Sequence, residues 1–419
     1  MLRKRGPFLH AAALALHWAL HWPGRVKSRF ERKHALTFQR IRDILLEMHA
    51  EKRAALSFDI PSLASPKEAL LTFDKEEAFG GELRDKDSLL RVFGAGRFVF
   101  LQENADMPAT TGFFHILRNS RIKKQIFLLL AALRGAVDLY FVETGFVSRT
   151  SNIQDASIPP VHRRSCSWIV DDMAFYYDAL VPSRIERFLN SKERVLQPEE
   201  KERAGKIIAL LRERKITKYN YQPFRTPDIL RLPGKKVLVA DQSLRDASIT
   251  RGMANERSFA DMLDAAIAEN PDAYVIIKTH PNSLTKGRGS YYGKVRENGR
   301  IHKLTEIVNP WCVLEAVDKV YVCTSQIGLE AMMCDKETHC FGMPVYAGWG
   351  LTKDRVALER RKEDVTLEEL VHALYVRFSV YIHPENGDLC AVEEYVEALL
   401  KLRDDYFSLQ AKNNHISSG

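Results

Sequence analysis

Two short polar motifs in the chain follow strand-like runs and have residue types that hold an anion. The first is Lys-Thr-His-Pro at 278–281, after five β-forming residues, and the second is Thr-Ser-Gln at 324–326, after a similar run. A buried parallel strand brings its carboxyl end to the edge of an α/β sheet, where ligands bind. His280 would face such a ligand, together with a helix whose N-cap is Thr324 or Ser325. Phosphate or nucleotide binding is therefore the first hypothesis.

Three carboxylates lie at or near the ends of other strand-like runs. Glu143 follows the run at 137–142, and Asp241 and Asp246 follow the run at 236–240. At the carboxyl end of a parallel strand, a carboxylate projects into a cleft and not into solvent. Either aspartate could instead cap the helix that follows, and for Asp241 capping is the better interpretation.

Each of these residues also has an ordinary structural interpretation. An isolated His280 is more often a core or turn histidine, and Thr324 and Ser325 alone are common N-caps. Trp349, in the Gly-interrupted loop at 338–352, could simply plug this loop into the core. Function is favoured because the polar motifs recur at successive strand ends, which separate structural causes would not predict.

The elements that must position these motifs alternate between strand-like and helical patterns. Helical spacing at 121–133 lies between strand-like runs at 97–101 and 137–142, and later parts of the chain repeat this order. Such alternation is typical of parallel α/β domains. Proline and glycine bracket 227–234, so we place an interdomain linker there. The predicted division is an N-terminal helix at 1–35 and two α/β domains at 36–232 and 233–419.

The composition supports ordinary globular cores and excludes several classes of protein. The 419 residues are 45% hydrophobic, and 62 lysines and arginines against 54 acids give a net charge of +8. This modest excess suggests an anionic partner but is not typical of nucleic-acid binding. The six cysteines have no metal-ligand spacing, so we expect no metal, no cofactor and a reducing cytoplasm. Asp171 and Asp172 point to opposite faces of a strand, which favours a structural or acceptor-side role over one shared ion.

The N-terminal segment is basic and carries two tryptophans one helical turn apart. Trp18 and Trp22 are followed by five lysines and arginines within 25–33. The apolar run at 8–22 contains three histidines. It falls short of the about 20 apolar residues that a membrane span needs. One interpretation is an interfacial helix on an anionic inner leaflet, and the other is an amphipathic helix packed on the first domain.

Three motifs resemble those of the bacterial capsule polysaccharide β-Kdo glycosyltransferases of the KpsC type. They are 278–281, 324–331 and the Gly-Trp-Gly motif at 341–352, and the resemblance runs from about 141 to about 352. It implies a GT-B fold, an α/β fold with two Rossmann-like domains facing a central cleft. The N-terminal domain would contact a glycan or glycolipid acceptor, and the C-terminal domain would bind a CMP-Kdo donor. The resemblance also implies retention of configuration, a role in capsule or lipopolysaccharide biosynthesis at the cytoplasmic membrane face, and no nucleic-acid partner.

The resemblance assigns roles to particular residues. Asp246 precedes Ala-Ser, as the family's recurring carboxylate does, and is assigned as the nucleophile, while Glu143 is the acid/base. The family has Glu-Asp-Gly-Phe where this chain has Glu-Thr-Gly-Phe, so Thr144 leaves Glu143 as the only carboxylate there. Glu330 is expected to accept hydrogen bonds from ribose hydroxyls. The predicted donor-binding residues are Lys278, His280, Pro281, Thr324, Ser325, Gln326 and Glu330.

Two alternatives to a Kdo transferase stay open. Another CMP-sugar transferase, for example one like a sialyltransferase, fits because the motifs at 278–281 and 324–326 would bind the nucleotide and not the sugar. A non-catalytic scaffold of polysaccharide export is disfavoured by the presence of both Glu143 and Asp246. The family often joins two transferase modules in one chain, whereas this chain has room for one, so we expect a single linkage type.

Overall fold

The computed structural model describes residues 24–56, 58, 70–72, 98–100, 113–116, 122–133, 135, 138–151, 158–281, 283 and 289–417. The predicted N-terminal helix at 1–35 therefore lies mostly outside the described residues. Within the described ranges, no helix is both long enough and apolar enough to cross a membrane.

The chain divides into two compact units. The first comprises Met1–Glu143, Val170–Phe175 and Val181–Arg184, and the second comprises Thr144–Ile169, Tyr176–Leu180 and Ile185–Gly419. The domain boundary predicted at 232/233 stays a prediction.

The first unit is built on parallel strands and two helices. Its elements are α1 (Gly24–Ala54), β1 (Leu70–Thr72), β2 (Phe98–Phe100), β3 (Phe113–Ile116), α2 (Ile122–Leu133) and β4 (Asp138–Thr144). The strands form a parallel ladder in the order β2, β1, β3, β4, and α1 packs against α2. The strands predicted at 97–101 and 137–142 and the helix predicted at 121–133 are confirmed.

The two adjacent aspartates of the first unit have separate structural partners. Asp171 is buried and accepts the backbone N–H groups of Met173 and Arg184, each at 2.8 Å. The Asp172 carboxylate is bound by the guanidinium groups of Arg53 at 2.7 Å and Arg184 at 2.8 Å. These contacts agree with the structural alternative for the pair, and an acceptor-side role stays a prediction. Among the residues that the structure describes, no group of three His, Cys, Asp or Glu side chains could hold a metal ion.

The rest of the chain contains a six-stranded parallel sheet and most of the described helices. The elements are α3 (Pro160–Arg163), β5 (Ser167–Asp171), α4 (Arg184–Leu189), α5 (Pro198–Glu213), β6 (Lys236–Ala240), α6 (Ala247–Arg251), α7 (Glu256–Glu269), β7 (Tyr274–Lys278), β8 (Ile301–Leu304), α8 (Pro310–Leu314), β9 (Lys319–Val322), α9 (Ile327–Met333), β10 (Glu337–Cys340), β11 (Lys353–Asp354), α10 (Leu367–Val371), β12 (Ser379–Ile382), β13 (Leu389–Cys390) and α11 (Val392–Ser417).

Six strands of the second unit pair in parallel in the order β11, β10, β9, β6, β7, β8. Strands β6 and β7 are almost entirely buried, and helix α7 packs Phe259 and Met262 into the same core as Val237 and Val275. Strands covered on both faces are apolar along their whole length, which is why these runs show no alternation of polar and apolar residues. Strand β12 pairs antiparallel with β5 and β13.

The strand order brings three of the predicted motifs to one edge of the sheet. Strand β6 lies between β9 and β7, so the segments that follow Ala240, Lys278 and Val322 begin side by side. The chain runs outward from β6 to β7 and β8 and then returns to β9 on the other side, which makes the gap between β6 and β9 a topological switch point. Ligands of open α/β sheets bind at such points.

Candidate functional site

Side chains from neighbouring strand ends are joined across this edge of the sheet. Ser243, after β6, has its Oγ 3.2 Å from Nδ1 of His280, after β7. The Gln242 carboxamide contacts Thr324, after β9: its Oε1 accepts the Thr324 N–H and its Nε2 donates to Thr324 Oγ1, each at 3.0 Å, and Oε1 also lies 3.3 Å from the Thr324 hydroxyl. Pro281 follows His280 directly and is half-buried. Motifs that are distant in the chain thus meet at the switch point.

Asp246 is the N-cap of α6 and is connected to the same group. Its Oδ1 accepts the Ser248 N–H at 3.0 Å and the Ser248 O–H at 2.9 Å. The Ser248 Oγ also lies 3.3 Å from Thr324 Oγ1. One hydroxyl group therefore separates the Asp246 carboxylate from the segment at 324–326.

Asp241 has a different environment from the one expected. It is buried, and its Oδ1 accepts the backbone N–H groups of Gln242 at 2.9 Å and Tyr291 at 3.2 Å. Burial raises the pKa of this carboxyl. The prediction that Asp241 caps the next helix is wrong, because the helix begins only at Ala247 and Asp246 caps it.

Lys278 and Glu330 are both buried in the second unit. Glu330 is 3% exposed, and its carboxylate accepts hydrogen bonds from the Thr217 hydroxyl and, at 3.4 Å, from Gln326 Nε2. Burial raises the pKa of Glu330 to about 7 and lowers the pKa of Lys278 to about 8. Gln326 also donates to the backbone oxygen of Phe146 at 2.8 Å. Glu330 thus organises the interior of the second unit, and its contact with ribose hydroxyls stays a prediction.

Helix α9 begins later than the sequence predicts. Its N-cap is Gln326, which makes no side-chain cap hydrogen bond, so the prediction of a cap at Thr324 or Ser325 is wrong. The physical reason is tertiary: Gln242 engages both the N–H and the hydroxyl of Thr324 and holds this residue outside the helix. Ser325, which is half-buried, lies between Thr324 and Gln326 in the sequence. Because α9 has only seven residues, anion binding here would depend on side chains and not on a helix end.

The Gly- and aromatic-rich loop at 341–352 supports the segment at 324–326. Tyr346 donates its hydroxyl hydrogen to the backbone oxygen of Ser325 at 2.5 Å. It fits only because Gly328 has no side chain, since a Cβ there would lie 2.3 Å from the Tyr346 hydroxyl oxygen. Trp349 is buried, and its Nε1 donates to a backbone oxygen of the same loop at 2.8 Å. The interpretation of Trp349 as a plug of the core is confirmed.

Glu143 lies in the first unit, at the last position but one of β4. Its side chain is 7% exposed. The chain then passes through Gly145, where a Cβ would lie 2.4 Å from Ser167 Oγ, so only glycine fits. The strand-end position predicted for Glu143 is confirmed, and its role in catalysis stays a prediction.

Four residues of this group were missed by sequence reasoning. Gln242 and Ser243 are polar residues directly after β6, the same signal that marked His280, and Ser248 stands two residues after a capping aspartate. Thr217 carries no local signal, because its partner Glu330 lies 113 residues away.

A parallel α/β sheet whose strand ends carry a histidine, hydroxyl groups and a carboxylate is the arrangement expected of the donor-binding half of a GT-B protein. The family model described as "Capsule polysaccharide biosynthesis protein" matches residues 121–381 of the 419. The chain belongs to this capsule polysaccharide biosynthesis family. The match extends beyond the predicted range of 141–352 at both ends.

Solved structures and a curated relative agree with this assignment. The chain is 28% identical to the β-Kdo 2,4 transferase of Thermosulfurimonas dismutans KpsC, with a TM-score of 0.69 over 79% of this chain and 97% of that one. The β-Kdo 2,7 transferase of the same protein is 22% identical, with a TM-score of 0.55 over 80% and 100%, and is similar in fold. The GT-B fold and the KpsC-type family predicted from the sequence are confirmed.

The capsule polysaccharide modification protein LipA of Neisseria meningitidis serogroup B is 33% identical over 271 residues, which cover 62% of this chain. They cover 38% of LipA, so the chain spans well under half the length of this relative.

Proposed function

We propose that the chain is a retaining β-Kdo glycosyltransferase that moves Kdo from CMP-Kdo to a glycan or glycolipid acceptor in capsule or lipopolysaccharide biosynthesis. The observation that carries this proposal is the hydrogen-bonded group of Asp246, Ser248 and Thr324 beside the Ser243–His280 pair. In it, a carboxylate lies one hydroxyl group away from the segment that would hold the donor phosphate.

The donor nucleotide would bind at the switch point between β6 and β9. His280 and the Ser325 hydroxyl donate hydrogen bonds to the CMP phosphate, and they stabilise the negative charge that grows on this phosphate as it leaves. Donors that are already in place before the reaction contribute more than water does, because they need no reorganisation. Lys278 adds a positive charge from inside the unit, close to its buried neighbour Glu330.

The reaction proceeds by two displacements at the anomeric carbon of Kdo. In the first, a carboxylate oxygen of Asp246 attacks this carbon, the bond to the CMP phosphate breaks, and its electron pair leaves with CMP. In the second, Glu143 takes the proton of the acceptor hydroxyl, the hydroxyl oxygen attacks the anomeric carbon, and the bond to Asp246 breaks. Two inversions give net retention.

We further propose that the chain forms one linkage type, a β-2,4 linkage. Its sequence identity to the β-Kdo 2,4 transferase is 28%, against 22% to the 2,7 transferase, and the TM-scores are 0.69 and 0.55. The enzyme would work at the cytoplasmic face of the inner membrane. Its net charge of +8 suits a surface of anionic lipids.

The test is mass spectrometry of the intact protein after incubation with freshly generated CMP-Kdo. We expect a Kdo-sized adduct on the wild type, more of it on Glu143→Gln, in which the second displacement is slowed, and none on Asp246→Asn. Asp261→Asn is the matched control, because the Asp261 side chain is partly exposed on α7 and pairs with Arg257 one turn away. It should form the adduct as the wild type does.

Three outcomes would count against the proposal in different ways. CMP release with product formation but no adduct on Glu143→Gln would overturn double displacement through Asp246. An adduct from a CMP-activated nonulosonic acid such as sialic acid, and none from CMP-Kdo, would change the donor sugar. If the chain binds neither CMP-Kdo nor the other CMP-sugar, the non-catalytic scaffold becomes the favoured function. Linkage analysis with a defined Kdo acceptor tests the 2,4 assignment, and two linkages in the product would overturn it.

A further inference from the structure

The hydrogen bonds between Gln242 and Asp246 form one continuous chain across the switch point. Gln242 Nε2 lies 3.0 Å from Thr324 Oγ1, Thr324 Oγ1 lies 3.3 Å from Ser248 Oγ, and Ser248 Oγ lies 2.9 Å from Asp246 Oδ1. Three of these residues are separated from Thr324 by more than seventy positions in sequence. The chain therefore exists only in the folded unit.

The two ends of this chain determine the direction of its first and last bonds. The Thr324 N–H can only donate, so it must face the Gln242 oxygen, and this orients the Gln242 amide with its NH₂ group toward Thr324 Oγ1. An ionised Asp246 can only accept, so the single hydroxyl hydrogen of Ser248 is used on Asp246 Oδ1. The hydroxyl hydrogen of Thr324 has two acceptors at 3.3 Å, Ser248 Oγ and Gln242 Oε1. When it is donated to Ser248, all donors run toward the carboxylate.

Close packing holds the middle of the chain in place. Gln242 is 5% exposed. The Thr324 methyl group is confined by two glycines, since a Cβ would lie 2.6 Å from it at Gly252 and 2.9 Å at Gly342. A side chain at either glycine would displace Thr324. The polar contacts and the packing thus specify one position for Thr324 relative to α6.

We propose that Gln242 is a positioning residue which acts through Thr324 and Ser248 to hold the Asp246 carboxylate in its reactive orientation. In this arrangement Thr324 helps to orient the nucleophile, and Ser325 donates a hydrogen bond to the donor phosphate. The proposal rests on the function proposed above, in which Asp246 attacks the anomeric carbon. It explains why Gln242 contacts Thr324 at the switch point, since donor binding alone would not require this contact.

The first part of the test measures kcat and KM for CMP-Kdo in variants of the chain. Gln242→Met and Ser248→Ala remove the first and last donors, and we expect kcat to fall about 10- to 100-fold with KM for the donor changed by less than about 3-fold. Ser248→Thr keeps the hydroxyl and should restore kcat to within about 3-fold of the wild type. Thr338→Val is the control, because the Thr338 hydroxyl is buried in the same sheet and donates only to a backbone oxygen.

The second part does not use the donor. A water-soluble carbodiimide activates protonated carboxyl groups, an added amine such as glycine ethyl ester traps each activated group as an amide, and peptide mass spectrometry gives the labelling rate of Asp246 at one fixed pH. Loss of the Ser248 donor makes protonation easier, because hydrogen bonds to a carboxylate favour its charged form. We expect labelling of Asp246 to be several-fold faster in Ser248→Ala, unchanged in Ser248→Thr, and unchanged at the partly exposed Asp261 in every variant.

The two parts separate the two proposals. A wild type that is inactive on CMP-Kdo, with Asp246 labelling still raised in Ser248→Ala, would count against the proposed donor and support the positioning chain. Normal kcat in both Gln242→Met and Ser248→Ala would overturn the positioning role, as would equal loss of activity in Ser248→Ala and Ser248→Thr. If Gln242→Met unfolds the site, the comparison of Ser248→Ala with Ser248→Thr tests the positioning role instead.

Discussion

The Oγ of Ser243 lies 3.2 Å from Nδ1 of His280, so the ends of the neighbouring strands β6 and β7 are joined through their side chains. A hydrogen-bond partner at one ring nitrogen restricts the orientation of an imidazole. The contact therefore orients the His280 ring at the end of its strand.

We predict that His280→Ala lowers kcat/KM for CMP-Kdo by about 100-fold, since one removed donor to a developing charge costs on this order. Ser243→Ala should cost less, about 3- to 10-fold, because the ring stays and only its orientation is lost. Steady-state kinetics of both variants, with His302→Gln on the edge strand β8 as control, measure these effects. A larger loss of kcat/KM in Ser243→Ala than in His280→Ala would contradict this prediction.

The lack of a side chain at Gly328 determines where Tyr346 and the backbone of Ser325 lie. In Gly328→Ala the new methyl group would meet the Tyr346 hydroxyl oxygen at 2.3 Å, so the loop at 341–352 must shift. We expect the free energy of unfolding to fall by about 1–3 kcal/mol, as in other overpacked interiors. Affinity for CMP should fall as well, because the segment at 324–326 moves with the tyrosine.

Gly205 in helix α5 provides the matched control for this substitution. No atom outside the local helix lies within 4 Å of a Cβ at Gly205. Gly205→Ala should stabilise the protein by about 0.5–1 kcal/mol, because alanine loses less backbone entropy in a helix than glycine. Denaturant unfolding and calorimetric titration with CMP measure both variants. Similar losses of CMP affinity in the two would refute the packing argument.

Burial of Glu330 predicts a specific dependence of stability on pH. Its pKa is raised from 4.5 to about 7, so the folded chain holds this proton more tightly than the unfolded chain does. The stabilising contribution of the group is therefore complete below pH 4.5 and is lost as the pH rises through 7. Glu330→Gln should be insensitive to this change, and the wild type should lose about 1–3 kcal/mol relative to it across the window.

Urea unfolding of both proteins at intervals between pH 4.5 and pH 7.5 gives the difference directly. Glu199→Gln, at an exposed position of α5, is the control and should follow the wild type at every pH. A constant difference between wild type and Glu330→Gln over the whole range would show that Glu330 does not titrate there.

Local sequence determined a large part of this protein. The β-forming runs before His280 and Glu143 are buried strands, and both residues lie at strand ends as predicted. These predictions succeeded because a strand that is buried on both faces consists mostly of consecutive apolar residues, which the sequence shows directly. The GT-B fold class and the family followed from such runs and from the motifs at their ends.

Only the tertiary structure decided which polar side chains meet. Gln242 and Thr324 are 82 residues apart, and they touch because β6 and β9 became neighbours in the sheet, which no local pattern encodes. The same contact moved the N-cap of α9 to Gln326, and the late start of α6 made Asp246 its cap instead of Asp241. Caps depend on where a helix begins, and tertiary hydrogen bonds can outweigh the local preference of a single hydroxyl or carboxylate.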